Sequence, residues 1–490
     1  MTDPRTTRGI LCGERPAPLD RRSMLRECCV GFGGVALAAL LGERFANAES
    51  VRTLAVDPRA PSPLAPRLPH FTPRAKRVIF LFMHGGPSQV DTFDHKPLLQ
   101  RDHGKEFPGE KPRVQFAPTG ALMASPYRFR RHGESGAWVS EIFPAVAGVV
   151  DELCFLKGLH GSNPAHGGAL LKLHTGTDTF VRPSMGSWVT YGLGSENRNL
   201  PGFVTLCPTL GHGGVNNFSS AFLPASYHGT PLGHAAVPAR EAEIAHMHAG
   251  LPAAAQRAQL DLLRDLNRMR MDATSTAGDL ALEGRIESFE LAFRMQMEAP
   301  DTLDLAGATP ATLKLYGIDE PRTENFGRQC LLARRLCEKG VRFVQCTHSY
   351  KWDQHGNLEK DHRTNAGEVD VPIAGLIRDL KSRGMLEETL VLWGGEFGRT
   401  PCAQDGTGRD HNPHGFTMFM AGGGVKSGFS YGATDDYGWY AADGKMNLHD
   451  LHATILALMG LDHERLTFRH DGRDFRLTDV EGEVARAVFA

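Results

Sequence analysis

Between Val341 and Phe416 short apolar runs alternate with polar loops that end in metal- or proton-holding side chains, and few folds accept that alternation. Val341-Arg342-Phe343-Val344-Gln345-Cys346 predicts a strand running into Trp352-Asp353-Gln354-His355-Gly356-Asn357. Asn365 to Arg383 has helical spacing, and Thr389 to Trp393 predicts a strand that delivers Gly394-Gly395-Glu396-Phe397-Gly398-Arg399-Thr400. Arg409-Asp410-His411-Asn412-Pro413-His414-Gly415 then leads into the apolar segment Phe416 to Ala421. Strands separated by helices predict an α/β protein with helices on both faces of a mostly parallel sheet, and polar loops at strand ends predict where its site lies.

The pattern recurs upstream. Arg77-Val78-Ile79-Phe80-Leu81-Phe82-Met83 is a continuous apolar run of the buried parallel type, opening into His84-Gly85-Gly86-Pro87-Ser88-Gln89-Val90-Asp91-Thr92-Phe93-Asp94. Leu153 to Leu156 predicts a strand followed by the polar, glycine-rich turn His160-Gly161-Ser162-Asn163-Pro164-Ala165-His166-Gly167-Gly168. Trp138 to Val150 reads as a helix, Gly202 to Leu206 as a strand, and the loops at 211–218 and 222–230 as part of a cleft rim. From about 254 to 298, Leu, Met and Phe recur at helical spacing, which predicts an inserted helical pair broken near Thr274 to Gly278. Residues 100–135 are basic and broken by prolines, and Lys360-Asp361-His362-Arg363 reads as a solvated face.

Residues 1–48 read as a signal peptide of the twin-arginine type. Arg21-Arg22-Ser23-Met24-Leu25 precedes the apolar run Val30 to Leu41, and Ala46-Asn47-Ala48 offers a cleavage site. The expected partner is therefore the twin-arginine export machinery and the expected location periplasmic or secreted, with an apolar run too short for a permanent membrane span. Residues 49–75 are a Pro-rich linker, a tether or extended arm, and 76–490 the folded region. A formal net charge of -2 over 490 residues gives no long-range field for nucleic acid. Of nine cysteines, Cys12, Cys28 and Cys29 leave with the signal, and the remaining six read as buried small hydrophobes.

Carboxylates and imidazoles at strand ends point to a divalent metal, zinc first, with manganese, calcium and magnesium also open. The candidate ligands are His84, Asp91, Asp94, Asp353, His355, Glu396, His411 and His414. Ser88 follows Gly85-Gly86-Pro87 and is the candidate nucleophile at a helix N-terminus, and Arg399 the candidate anion holder. Each has a structural rival: Asp353 as a turn cap, Asp450 as an N-cap, and Arg399 as an ion-pair partner of Glu396.

These motifs, with Arg182-Pro183-Ser184-Met185-Gly186-Ser187-Trp188, Gly408-Arg409-Asp410-His411-Asn412-Pro413 and Gly472-Arg473-Asp474-Phe475, resemble the DUF1501 family of exported, sulfatase-like proteins in its planctomycete type. That family resembles the alkaline phosphatase and sulfatase superfamily. The resemblance implies a three-layer, alkaline-phosphatase-like sandwich, one or two divalent metals, and hydrolysis or transfer at phosphorus or sulfur. It puts Asp353 with His355 in the place of the ligands after a central strand, Glu396 in that of a metal-binding Asp, and His411 or His414 in that of a late histidine. The chain departs from the pattern by carrying His84 where an Asp is usual and Phe397 where a ligand is usual, and it lacks the Cys-x-Pro-x-Arg or Ser-x-Pro-x-Arg of a formylglycine sulfatase. The expected function is metal-dependent hydrolysis of a small-molecule or polysaccharide phosphate or sulfate ester by activated water or Ser88. The alternative is a non-catalytic envelope protein that binds an anionic or polysaccharide ligand.

Overall fold

Strand β1 (Arg77–Met83) runs through the middle of a nine-stranded sheet, and its side chains alternate between two cores. Ile79, Leu81 and Met83 join one hydrophobic cluster, while Val78, Phe80 and Phe82 join the other. A strand buried on both faces must be apolar at every position, which is why this run shows no polar alternation. Each of these fully buried large side chains contributes on the order of 1.5–3 kcal/mol. The computed structural model describes residues 62–490 except 113–117, 245–250 and 274–279. The export segment, residues 49–61 of the Pro-rich linker and the expected break near Thr274 to Gly278 lie outside the described residues.

The remaining sheet strands are β2 (Leu153–His160), β3 (Phe203–Leu206), β4 (Thr230–Leu232), β5 (Phe343–His348), β6 (Thr389–Gly394), β7 (Phe416–Ala421), β8 (Phe429–Tyr431) and β9 (Met446–Asn447). Their order is β8-β2-β7-β6-β1-β5-β3-β4, with β9 also paired to β2. Within this sheet β7 runs antiparallel to both neighbours and the other pairings are parallel.

Helices cover both faces. α6 (Glu324–Glu338) and α7 (Leu358–Ser382) place Cys330, Leu331, Ile373 and Ile377 in the first cluster. α2 (His166–Thr175), α3 (Met185–Leu193) and α8 (Leu448–Leu458) place Leu170, Trp188 and Ile455 in the second. The result is the expected α/β architecture of three layers around a mostly parallel sheet. The expected helical pair is present as α4 (Ala253–Ala273) and α5 (Leu280–Leu303). Asp450 serves as the N3 member of a capping box with Asn447 at the start of α8.

Local corrections follow from packing. Trp138 to Val150 is not one helix: Ala137–Ser140 pairs with Phe129–His132, and a helical turn starts only at Pro144. Proline begins a helix but cannot continue one, and Val139 is buried as a strand residue. His362 is fully buried and not part of a solvated face, because α7 turns that position inward toward Ser88. From Ser62 to Ala75 the chain is an extended arm laid on the body: His70 N–H donates to the Gly460 carbonyl at 2.8 Å and Arg74 N–H to that of Leu458 at 2.8 Å. Among the described residues all six cysteines are buried and unpaired. No helix of the described residues is long and apolar enough to cross a membrane.

Candidate metal centre

Parallel strands end on one edge of the sheet, and their outgoing loops carry the chemistry. β1 delivers His84, β5 delivers Tyr350, Asp353 and His355, and β6 delivers Glu396. β2 leads to His166 at the start of α2, and β3 to His212. β7 runs the other way, so the loop that precedes it, with Asp410 and His411, reaches the same edge. Gly85 adopts φ +119, and a Cβ there would lie 2.7 Å from the Asp353 backbone nitrogen. Only glycine lets the first loop approach the Trp352-Asp353 turn this closely.

Asp353 Oδ1 is the meeting point. It lies 3.0 Å from His355 Nε2, 3.1 Å from His411 Nε2 and 3.3 Å from His166 Nε2. The two imidazole nitrogens of His355 and His411 are themselves 3.0 Å apart. His411 donates its Nδ1–H to the Pro164 carbonyl at 2.6 Å, and His355 Nδ1 faces Gln404 Oε1 at 2.5 Å. In the neutral tautomers these partners select, both Nε2 atoms carry lone pairs. With both rings neutral, Asp353 Oδ1 and the two Nε2 atoms are three acceptors facing one another, while Arg399 donates to Asp353 Oδ1 from behind at 2.7 Å. That arrangement is relieved by a cation between them or by a proton on one ring, and roughly 2.0–2.2 Å metal bonds would suit acceptors at this spacing.

Adjoining groups extend the cluster. His166 Nδ1 lies 2.8 Å from Glu396 Oε1, and that carboxylate accepts the Gly85 N–H at 3.0 Å. Sets of ligand atoms within 4.8 Å of one another comprise His84, His166 and Glu396; His166, Asp353 and His411; and His355, Asp410 and His411. His84 Nε2 is 3.4 Å from His212 Nδ1, and the buried His84 Nδ1 has no hydrogen-bond partner among the described residues. The open side is formed by Tyr350, 44% exposed, whose hydroxyl donates to Asp353 Oδ2 at 2.5 Å.

Burial opposes the charge on Asp353, but hydrogen bonds from His166, His355 and His411 and the charge of Arg399 hold its pKa far below the carboxylate range. Burial likewise opposes charge on Glu396, and His166 and His84 outweigh it and lower its pKa. Burial pushes His84 and His411 each down to about 4, which keeps both rings neutral and able to ligate. The hydrogen bond to Asp353 raises the pKa of His355, and the carboxylates raise that of His166 against its burial. A proton on either ring is the other species able to relieve the repulsion around Asp353.

Several expected site residues lie elsewhere. Arg399 is fully buried and donates to the carbonyls of Gly86 and Trp352 at 3.0 and 3.1 Å, to that of Gly85, and to Asp353 Oδ1 at 2.7 Å. It clamps three loops behind the cluster and pairs with Asp353, not Glu396, so it cannot meet a substrate anion from solvent. Ser88 and Asp91 are also fully buried. Ser88 Oγ donates to Asp91 Oδ2 at 2.5 Å, Asp91 pairs with Arg409 Nε at 2.7 Å, and Ser88 N–H donates to His362 Nε2 at 3.0 Å. A sealed serine with its proton on a carboxylate supports the fold, not attack on an ester. Asp94 binds Lys96 at 3.2 Å and the Thr434 hydroxyl, and His414 packs beside the Tyr440 ring. We expect Ser88→Ala to leave metal content unchanged and to lower stability by about 1–3 kcal/mol in thermal unfolding, since Asp91 loses a buried donor.

His166, His212 and Tyr350 belong to the site but are not among the candidates read from the sequence. The strand-end rule that singles out Asp353 and Glu396, applied to the turn after β2, points equally to His166.

The fold and cluster define a class: an α/β protein with a carboxylate and imidazole constellation on the edge where its parallel strands end. The chain belongs to the DUF1501 family, described as a protein of unknown function, whose profile matches residues 75–489. No curated protein matches it. Among solved structures it is similar to the lipoteichoic acid synthase LtaP of Listeria monocytogenes, at 9% identity and TM-score 0.34 over 83% of this chain and 76% of that one. It is also similar to the PsFucS1 sulfatase of Pseudoalteromonas sp., at 13% identity and TM-score 0.34 over 80% and 68% of the two chains. The alkaline phosphatase of the Antarctic bacterium TAB5 matches at 11% identity and TM-score 0.30 over 79% and 98%.

Proposed function

We propose that Asp353, His355 and His411, with His166, Glu396 and His84 beside them, hold a divalent metal, zinc in first place, and that the protein hydrolyses a phosphate or sulfate ester. The observation that carries the metal is the set of three facing acceptors, whose tautomers Pro164 and Gln404 select. The choice of ester follows from the motif resemblance. A bound divalent cation supplies Lewis acidity, making water nucleophilic at neutral pH and drawing charge from the ester oxygens.

The chain's own groups do the rest. Gln404 and the Pro164 carbonyl orient His355 and His411, and Arg399 from behind keeps the Asp353 carboxylate ionised and aimed forward. Tyr350 holds the other Asp353 oxygen on the open side, where its ring lies 4.7 Å from His84 and 4.9 Å from His212. An ester entering there meets Tyr350 and His212 first. With Ser88 sealed in the interior, water is the nucleophile.

The test is a screen of aryl phosphates and aryl sulfates with zinc, manganese, magnesium or calcium added, run beside Glu396→Gln. Turnover that falls at least about a hundredfold in the variant with melting unchanged is expected. Equal turnover by both proteins, or none with any metal, would sink the hydrolase reading.

A further inference from the structure

A second concavity, of 430 Å³, opens on Val90, Lys96, Leu99, Tyr127, Arg128 and Arg130, and none of the residues lining it is a carboxylate. It draws on the basic, Pro-rich stretch that the candidate metal centre leaves unused. Val90, Leu99 and Tyr127 are buried beneath it, Phe129 and His95 are half-buried along its wall, and Arg128 and Arg130 stand exposed at its rim. His95 also lines it and packs between Phe129, at 5.0 Å and near-parallel, and Trp138 at 4.4 Å.

Charge accounting decides between a solvated rim and a ligand site. Asp94 compensates Lys96 at 3.2 Å. Arg128 and Arg363 share one carboxylate, Glu141, at 2.8 and 3.3 Å. Arg130 makes no ion pair with any described residue. The groove and its rim therefore carry cationic charge that the described residues do not neutralise, on a chain whose formal net charge is -2.

We propose that this groove binds an oxyanion-bearing saccharide: a sugar-ring face lies against the half-buried Phe129 and His95 rings, and a sulfate or carboxylate is held by Arg128 and Arg130. The buried helical turn α1 (Gln89–Thr92) lies between the groove and Arg399, on the side of the cluster away from Tyr350. Val90 lines the groove, while the neighbouring Gln89 side chain accepts the Arg399 N–H at 2.9 Å and donates to its carbonyl at 2.8 Å. The binding does not rest on the hydrolase reading.

The experiment is calorimetric titration of the full chain with three tetrasaccharides: a sulfated uronate, the same compound desulfated, and a neutral one. Each is run at low and high salt, with wild type and with the double variant Arg128→Ala, Arg130→Ala. The anionic ligands are expected to bind at least about tenfold tighter than the neutral one, to weaken with salt, and to lose about tenfold in the double variant at unchanged melting temperature. A further gain from sulfation assigns the anion as a sulfate, and its absence as a carboxylate. Equal binding of neutral and anionic ligands, wild-type binding by the double variant, or no binding at all overturns the proposal. Binding that behaves as expected in a protein that turns over no ester keeps the groove and removes the hydrolase.

Discussion

Arg409→Met is expected to destabilise the protein by about 3–5 kcal/mol, read from urea unfolding, because it leaves Asp91 charged and unpaired in the interior. Both side chains of the pair are fully buried, with Arg409 Nε 2.7 Å from Asp91 Oδ2 and Nη2 3.2 Å from Oδ1. Arg409 also donates to the carbonyls of Thr400 and Met123 at 3.2 and 3.0 Å, so its loss frees two loops as well. Adding Asp91→Leu is expected to recover only the part due to the unpaired charge, since the Thr400 and Met123 carbonyls and the Ser88 hydroxyl stay without their partners.

The pH dependence carries a sign that separates this account from simple loss of packing. Burial opposes the Asp91 charge, but Arg409 outweighs it and holds the pKa below the ordinary value. The pair's contribution is therefore fully present above the unfolded carboxylate pKa of about 4 and is lost as pH falls through the lower folded value. In Arg409→Met, burial without a partner raises the folded pKa instead. The variant then gains stability as pH falls from about 7 toward 5, where wild type does not. A variant whose stability profile merely parallels wild type over that range would contradict the assignment.

The second large effect is on metal content. The full chain, loaded with zinc and dialysed, is expected to hold a stoichiometric divalent metal by elemental analysis, and Asp353→Ala and His355→Ala to hold none while melting cooperatively. Removing one ligand from a three-acceptor set takes away both a bond and the charge that draws the cation in. His414→Ala is the internal control. His414 sits beside Tyr440 and its N–H is capped by Asn412 Oδ1 at 3.1 Å, so its loss should leave the metal in place. A protein that stays metal-free after soaking with zinc, manganese, calcium and magnesium would make the cluster a hydrogen-bonded turn assembly held by protons.

The sequence by itself determined which runs are strands, and through them which loops share an edge. β1, β6 and β7 are apolar but for a terminal Arg77 or a lone threonine, and β5 is apolar-leaning, so Asp353, His355, Glu396 and His411 could be singled out from the loops that flank them. Local pattern reaches that far because a strand buried on both faces is mostly apolar, and the few polar positions it carries must find partners, as Thr347 N–H does at Gln329 Oε1. It says nothing about which way a side chain turns after the strand ends. Ser88, Asp91 and Arg399 carry the same polar lettering as Asp353 and Glu396, yet they point into the body, where Arg409, His362 and backbone carbonyls satisfy them. His166 enters the cluster from the far side of β7, two places across the sheet from β6, a neighbourhood that strand order creates and local periodicity cannot express. The tertiary structure alone decided which polar groups became buried clamps and which were left facing one another, because desolvation forces each buried polar atom to find a partner and only the assembled sheet shows where those partners are.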